Sequence, residues 1–152
     1  MDKISNNAEL RTWRDHIPLD WKYTAGVAGE RFLQLLKQGT IQASVCRSCG
    51  KTFLPPKIFC KDCFDQLTEW REVQGDAGFI YSFTKVSRKD ANSPSPSQHI
   101  VLVKFEGIEG GLLGKFKLGR EEPRIGMKVK PVFKKKDQRK GELSDIEYFE
   151  KV

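Results

Sequence analysis

A chain of 152 residues and 17.4 kDa has room for one ordinary domain or two small modules, and 38% hydrophobic content supports a modest core rather than disorder. No apolar run approaches the roughly 20 residues that a bilayer crossing needs, and the opening Met-Asp-Lys-Ile-Ser-Asn-Asn lacks the apolar stretch of a secretion signal, so a cytoplasmic protein is expected. The formal charge of +7 is concentrated in one place: Lys128, Lys130, Lys134, Lys135, Lys136, Arg139 and Lys140 face a single acid, Asp137. The remainder is near neutral, and a general electrostatic grip on a polyanion wants a wider basic face than one such local stretch.

Residues 1–28 mix Trp13, Ile17, Leu19, Trp21 and Tyr23 with charges and Pro18, a pattern that fits neither a long helix nor a clean strand. Two readings stand: these aromatics anchor a partner, or the arm packs back on its own small domain. Glu30 to Gln38 reads as a helix, with Phe32, Leu35 and Leu36 on one face and Gly39 as the stop. Ile41, Ala43 and Val45 then alternate as a short strand.

All four cysteines come directly after that strand, as Cys46-x2-Cys49 and Cys60-x2-Cys63. A two-residue gap lets both sulfurs of a tight turn face one centre, and two such knuckles complete a tetrahedral thiolate cage for zinc. Gly50 supplies the left-handed backbone that closes the first knuckle. Two disulfides use the same spacing but conflict with a reducing cytosol. A redox Cys-x-x-Cys suits one pair better than two, and iron of the rubredoxin type takes the same four thiolates. Catalytic zinc keeps an open position, so a four-thiolate shell is structural. Phe53, Leu54, Pro55, Pro56, Ile58 and Phe59 between the knuckles form an expected apolar cap over the sulfurs.

Leu67 to Val73 leads out of this ribbon as a strand, with Trp70 expected at the joint between the ribbon and the next segment of the chain. From Gly78 the chain alternates strands and turns: Gly78–Val86, a polar loop over 88–98, His99–Glu106, a turn at Gly107–Gly111, Leu112–Leu118, Gly126–Phe133 and Ile146–Phe149. Short strands at this spacing predict a small closed barrel of the OB type, with a sandwich less suited to the length. The fold expected is mostly β: N-terminal arm and helix over 1–40, zinc ribbon over 41–73 and OB barrel over 74–152. The basic run then lies on a hairpin, as a solvated edge or as an anion contact.

Residues for catalysis are scarce. His16 and His99 stand without a third ligand or a nearby acid, Gly107, Gly110 and Gly111 sit in a β-turn rather than a phosphate loop, and no serine lies in a Gly-x-Ser-x-Gly elbow. With every thiol assigned to metal, no catalytic residue is expected, and the chain reads as a binding partner.

In that architecture the chain resembles the acyl-CoA-associated proteins catalogued as domain of unknown function 35. The resemblance rests on Cys46-Arg-Ser-Cys-Gly50, Phe53, Pro55-Pro56-Lys57, Cys60-Lys-Asp-Cys63, Trp70, Gly78 and Ser82-Phe83-Thr84, continued by Val101–Phe105, Glu106-Gly107 and Gly126-Met-Lys-Val129. It covers about residues 30–135 and leaves the first 28 unmatched. It implies a rubredoxin-like zinc ribbon joined to an OB fold, in a non-catalytic subunit that docks on a thiolase-fold enzyme. That enzyme is a thiolase, a hydroxymethylglutaryl-CoA synthase or an aldolase, and the subunit helps to build the coenzyme A passage. Family members often carry Arg after the paired prolines; Lys57 keeps the charge and loses the planar fork. Lys57, Lys85 and Arg88 are the candidates for the CoA phosphates. Degradation of an aromatic or hydrocarbon-derived acyl-CoA is one pathway, with isoprenoid or polyester precursor synthesis as others. A nucleic-acid-binding ribbon and barrel, supported by the basic run, is the alternative function; a stand-alone CoA-thioester hydrolase lacks the residues.

Overall fold

The computed structural model describes residues 20, 22–73, 77–86, 89–90, 93–94, 97–117 and 121–152. The expectations placed on Trp13, His16, Ile17, Leu19, Trp21 and Arg88 lie outside the described residues. The helix α1 spans Gly26–Gln38, and the strands are β1 (Gln42–Val45), β2 (Thr52–Leu54), β3 (Glu69–Glu72), β4 (Gly78–Val86), β5 (Lys89–Asp90), β6 (Ser93–Pro94), β7 (Gln98–Lys104), β8 (Ile108–Gly110), β9 (Leu112–Lys115), β10 (Lys128–Phe133) and β11 (Ile146–Lys151).

Helix α1 begins before the expected Glu30. Its N-cap is Ala25, which offers no capping side chain, so the sequence carries no start signal there. Ala28, Phe32 and Leu36 recur every four residues and are buried. Gly39 ends the helix at φ 86°, with its N–H directed at the carbonyls of Leu35 and Leu36.

The ribbon lies in a four-stranded sheet of order β3-β1-β2-β8. Strands β2 and β3 pair antiparallel with β1. Strand β8 pairs with β2 in parallel, Thr52 opposite Ile108 and Leu54 opposite Gly110. Part of the expected turn at 107–111 is therefore a strand of the ribbon's sheet. A parallel partner must return through a long connection, and here everything from β3 to β7 makes that connection.

The second sheet has the order β11-β10-β4-β7-β9. A bulge between Ile80 and Ser82 in β4 leaves Tyr81 as the extra residue and bends the strand. The edges β9 and β11 meet at a bridge between Phe116 and Phe149, where Lys117 donates its N–H to the Phe149 carbonyl at 2.9 Å. The expected closed barrel is corrected accordingly: the sheet is OB-like but not closed. Buried Phe149 projects onto Gly114, 2.7 Å from where a Cβ would stand. A ring packed on backbone thus joins the edges where a ladder would otherwise run. The polar loop at 88–98 contains the small hairpin β5–β6.

One interior runs through helix, ribbon and rolled sheet. Phe32 and Leu36 of α1 and Ile41, Ala43 and Leu54 of the ribbon join Ile80, Val101, Val103, Val129 and Phe149. Full burial of such side chains contributes about 1.5–3 kcal/mol each.

The chain leaves β10 with the basic run and passes through two 3-10 turns, Lys136–Gln138 within the run and Leu143–Asp145 just after it. Asp145 is fully buried and its carboxylate accepts the N–H groups of Lys140 (3.0 Å), Gly141 (2.7 Å) and Glu142 (3.1 Å). Burial pushes this carboxyl up, but the three donors outweigh it and hold it below the usual carboxylate range. Arg139 donates to the Lys134 carbonyl at 2.7 Å and stacks 5.3 Å from the Phe133 ring.

Candidate metal centre

Two loops with the same hydrogen-bond pattern bring the four thiols together. In the first, Cys46 donates its N–H to the Lys51 carbonyl at 2.8 Å and accepts from Gly50 at 2.9 Å. In the second, Cys60 donates to Asp65 at 2.9 Å and accepts from Phe64 at 3.1 Å. Each loop therefore needs one left-handed residue just after its second cysteine: Gly50 at φ 72° and Phe64 at φ 61°. Gly50 was legible in the sequence, whereas Phe64 was not. The repeated Cys-x-x-Cys frame is the signal that would have found it.

The Sγ atoms of Cys46 and Cys63 are 3.4 Å apart, those of Cys49 and Cys60 are 3.6 Å apart, and all four lie within 4.8 Å of one another. Metal–sulfur bonds of about 2.3 Å give a tetrahedron with edges of about 3.8 Å. The donor set therefore fits a structural Zn²⁺, and four sulfurs fill its coordination shell. Cys46 and Cys60 are buried, while Cys49 and Cys63 face outward.

Without a cation, thiolates at this separation oppose one another. Backbone N–H groups of Cys63 and Asp62 bring the Cys60 thiol down to about 7. At Cys63 the Asp65 N–H works downward, yet the neighbouring Cys46 thiol and desolvation prevail and push it up to about 12. A divalent ion removes this conflict by stabilising every thiolate.

The surroundings tie the two loops to each other and to β8, the outer strand of the ribbon's sheet. Ser48 donates to Asp65 across the centre. Lys51 pairs with Asp62 at 2.8 Å and with Glu109 at 3.3 Å, and Lys61 pairs with Glu109 at 2.9 Å. Asp62, with Glu109 second, holds the Lys51 ammonium well above its ordinary range. Of the expected cap, Phe53 packs with Cys46, Cys60 and Leu67, but Leu54 belongs to the main core and Phe59 is 58% exposed. Trp70 lies under the Arg31 guanidinium at 4.1 Å, so it joins the ribbon to α1.

The other candidate residues fall elsewhere. Lys57 stands on the ribbon, its Nζ 5.1 Å from the Phe53 ring centre and its N–H bonded to Ser44 Oγ at 2.9 Å. Lys85 is exposed on β4 opposite His99, whose ring meets Phe83 edge-on at 6.3 Å. The strand register thus gathers Phe83, Lys85 and His99 on one face, a grouping that period-2 reading of single strands missed.

A rubredoxin-like ribbon on an OB-like sheet defines a zinc-ribbon class of protein, and the model of the ChsH2 rubredoxin-like zinc ribbon domain matches residues 33–69. Among solved structures, a protein of unknown function of the DUF35 family from Sulfolobus solfataricus is 33% identical over 70% of this chain and 78% of that one, with a TM-score of 0.62. The chain belongs to the DUF35 family. The Ltp2-ChsH2(DUF35) aldolase shares the fold at 20% identity and a TM-score of 0.56, over 72% of this chain and 85% of that one. A search of curated proteins finds no match. Among the described residues, no helix is long and apolar enough to cross a membrane.

Proposed function

We propose that this chain is a non-catalytic, zinc-stabilised accessory subunit of a thiolase-fold acyl-CoA enzyme in the cytoplasm. Its place in the assembly is to dock on that enzyme and form part of the passage for the CoA thioester. The observation that carries the reading is the likeness to the Ltp2-ChsH2(DUF35) aldolase, where a chain of the same family is part of an aldolase. Two features of the molecule agree with it. The metal-site donors leave no open position for substrate, and large apolar side chains stand exposed on the ribbon and the helix entrance: Phe59 (58%), Phe64 (78%), Tyr23 (84%) and Val27 (78%).

Within this reading Lys57, Lys85 and Arg88 meet the CoA phosphates, with Phe83 and His99 beside Lys85 as flat surfaces for the nucleotide end. The functional units are 1–40, 41–73 and 74–152, and the acyl group is aromatic or hydrocarbon-derived. The nucleic-acid alternative loses support from the basic run, part of which has partners within the chain: Lys130 with Glu150 and Arg139 with Phe133.

The test is a pull-down with the tagged full chain from its native host, at low and at about 300 mM salt, where phosphate-driven binding collapses. A thiolase-fold protein retained at both salts is the expected result. Nucleic acid captured at low salt alone, with no enzyme, would overturn the proposal.

A further inference from the structure

The rolled sheet leaves a cleft between its two edges. Strand β9 pairs with β7 and β11 with β10, and the edges meet at the Phe116–Phe149 bridge. Ahead of that bridge the cleft opens into a cavity of about 460 Å³, inside the range of about 300–1,000 Å³ usual for small-molecule sites.

Ile100, Leu113, Leu143 and Ile146 give it apolar walls. Leu113 is 69% exposed and Leu143 57%, so apolar surface stands uncovered on two sides of one opening. Two ammonium groups share the lining, Lys115 and Lys134, against one carboxylate, Glu147. Lys134 is directed by its bond to Ser144 Oγ at 3.3 Å, and Lys115 has no ion-pair partner among the described residues. A peptide strand does not fit between the edges. Strands β9 and β11 come within 8 Å of each other at several positions, whereas an inserted strand needs about 9.6 Å, twice the normal spacing.

We propose that this cleft binds an amphiphilic monoanion, a carboxylate carried on a medium-length hydrocarbon body. The carboxylate meets Lys115 and Lys134, and the hydrocarbon lies along Ile100, Leu113, Leu143 and Ile146. Neither Lys57 nor Lys85 is among the described residues that line the cleft, so the proposal does not depend on the assignment of CoA phosphates to them.

Octanoate is the probe, titrated into the zinc-loaded full chain labelled with nitrogen-15 while amide shifts are tracked. The expected result is saturable shifts centred on residues 113–115 and 143–147. Lys115→Glu weakens binding about tenfold or more, as loss of a charge-assisted contact does, while Lys128→Glu on β10 leaves it unchanged. Neutral 1-octanol binds about tenfold more weakly by the same reasoning. If the Lys115→Glu spectrum is not that of a folded chain, Lys134→Gln takes its place with the same expectation. Absence of saturable shifts, shifts centred elsewhere, unchanged affinity in the lysine variant, or octanol binding equal to octanoate would each overturn the proposal.

Discussion

Leu54 and Gly110 stand opposite each other in the parallel pair of β2 and β8, and the Leu54 carbonyl accepts the Gly111 N–H at 2.8 Å. Gly110 has φ 96°, and a Cβ there would collide with the Leu54 carbonyl oxygen. Gly107, at φ 69°, has open space where its Cβ would go. Gly110→Ala is therefore expected to cost about 2–4 kcal/mol, strain plus the disturbed pairing, against about 1 kcal/mol for Gly107→Ala. Urea unfolding of the zinc-loaded proteins measures both. Equal losses would mean that the contact with β2 carries nothing.

Phe64 adopts the left-handed backbone that Gly50 adopts in the first knuckle, and its ring is 78% exposed. Little packing is lost on removing it, while the backbone strain of a non-glycine residue is relieved. Phe64→Gly should raise stability by about 1 kcal/mol with metal content unchanged. If the same variant also weakens capture of the enzyme proposed as partner, the ring is a docking anchor held at a conformational cost.

Metal removal should reach far beyond the knuckles, because Leu54 and Ile41 of the ribbon share the main core with Val101 and Phe149. A strong chelator, or Cys46→Ser or Cys63→Ser, is expected to abolish cooperative unfolding of the whole chain. Purified protein should carry about one zinc. A metal-free chain with intact near-ultraviolet dichroism would sink the structural role.

Proton competition gives the metal site its pH dependence. Metal-free Cys63 is pushed up to about 12 and Cys60 down to about 7, so near neutral pH the incoming ion must displace protons. Bound thiolates are the depressed case: stabilisation is present at higher pH and is lost as pH falls. Affinity, read by competition with a chromophoric chelator between about pH 8 and pH 6, should decline steadily on acidification.

Asp145 governs the basic loop in the same sense. Its carboxyl sits below the usual range because three N–H donors outweigh desolvation, so its contribution is complete above the unfolded value of about 3.9 and is lost as pH falls through the lower folded value. Asp145→Asn places an amide against donors and should cost about 1–3 kcal/mol at neutral pH. Amide exchange at Lys140, Gly141 and Glu142 should accelerate in the variant. Unchanged protection there would show that the loop is held by other contacts.

The metal site was legible because its spacing is local: two knuckles impose their geometry within a few residues. Long strands β4, β7 and β10 were legible for a similar reason, since their composition repeats over six or more positions. Strands β2 and β8 were not, because three residues carry no period and each exists only through its partner. The start of α1 was missed for want of a capping side chain at Ala25. The opening at the sheet edges was missed as well. Alternation in β9 and β11 says which residues face inward, not that Phe149 would lie on Gly114.

The parallel place of β8 beside β2 also sets an order of events during synthesis. A chain leaving the ribosome presents all four thiols before Glu109 and Gly110 emerge to meet them. Zinc can seat in the knuckles at that stage, on a sheet of three strands with one side still vacant. Only when β4 and β7 have been made can β8 take the fourth place, and Glu109 then reaches Lys51 and Lys61, one on each knuckle. The metal donors are thus complete early, and the lock over them is supplied by a strand that arrives later.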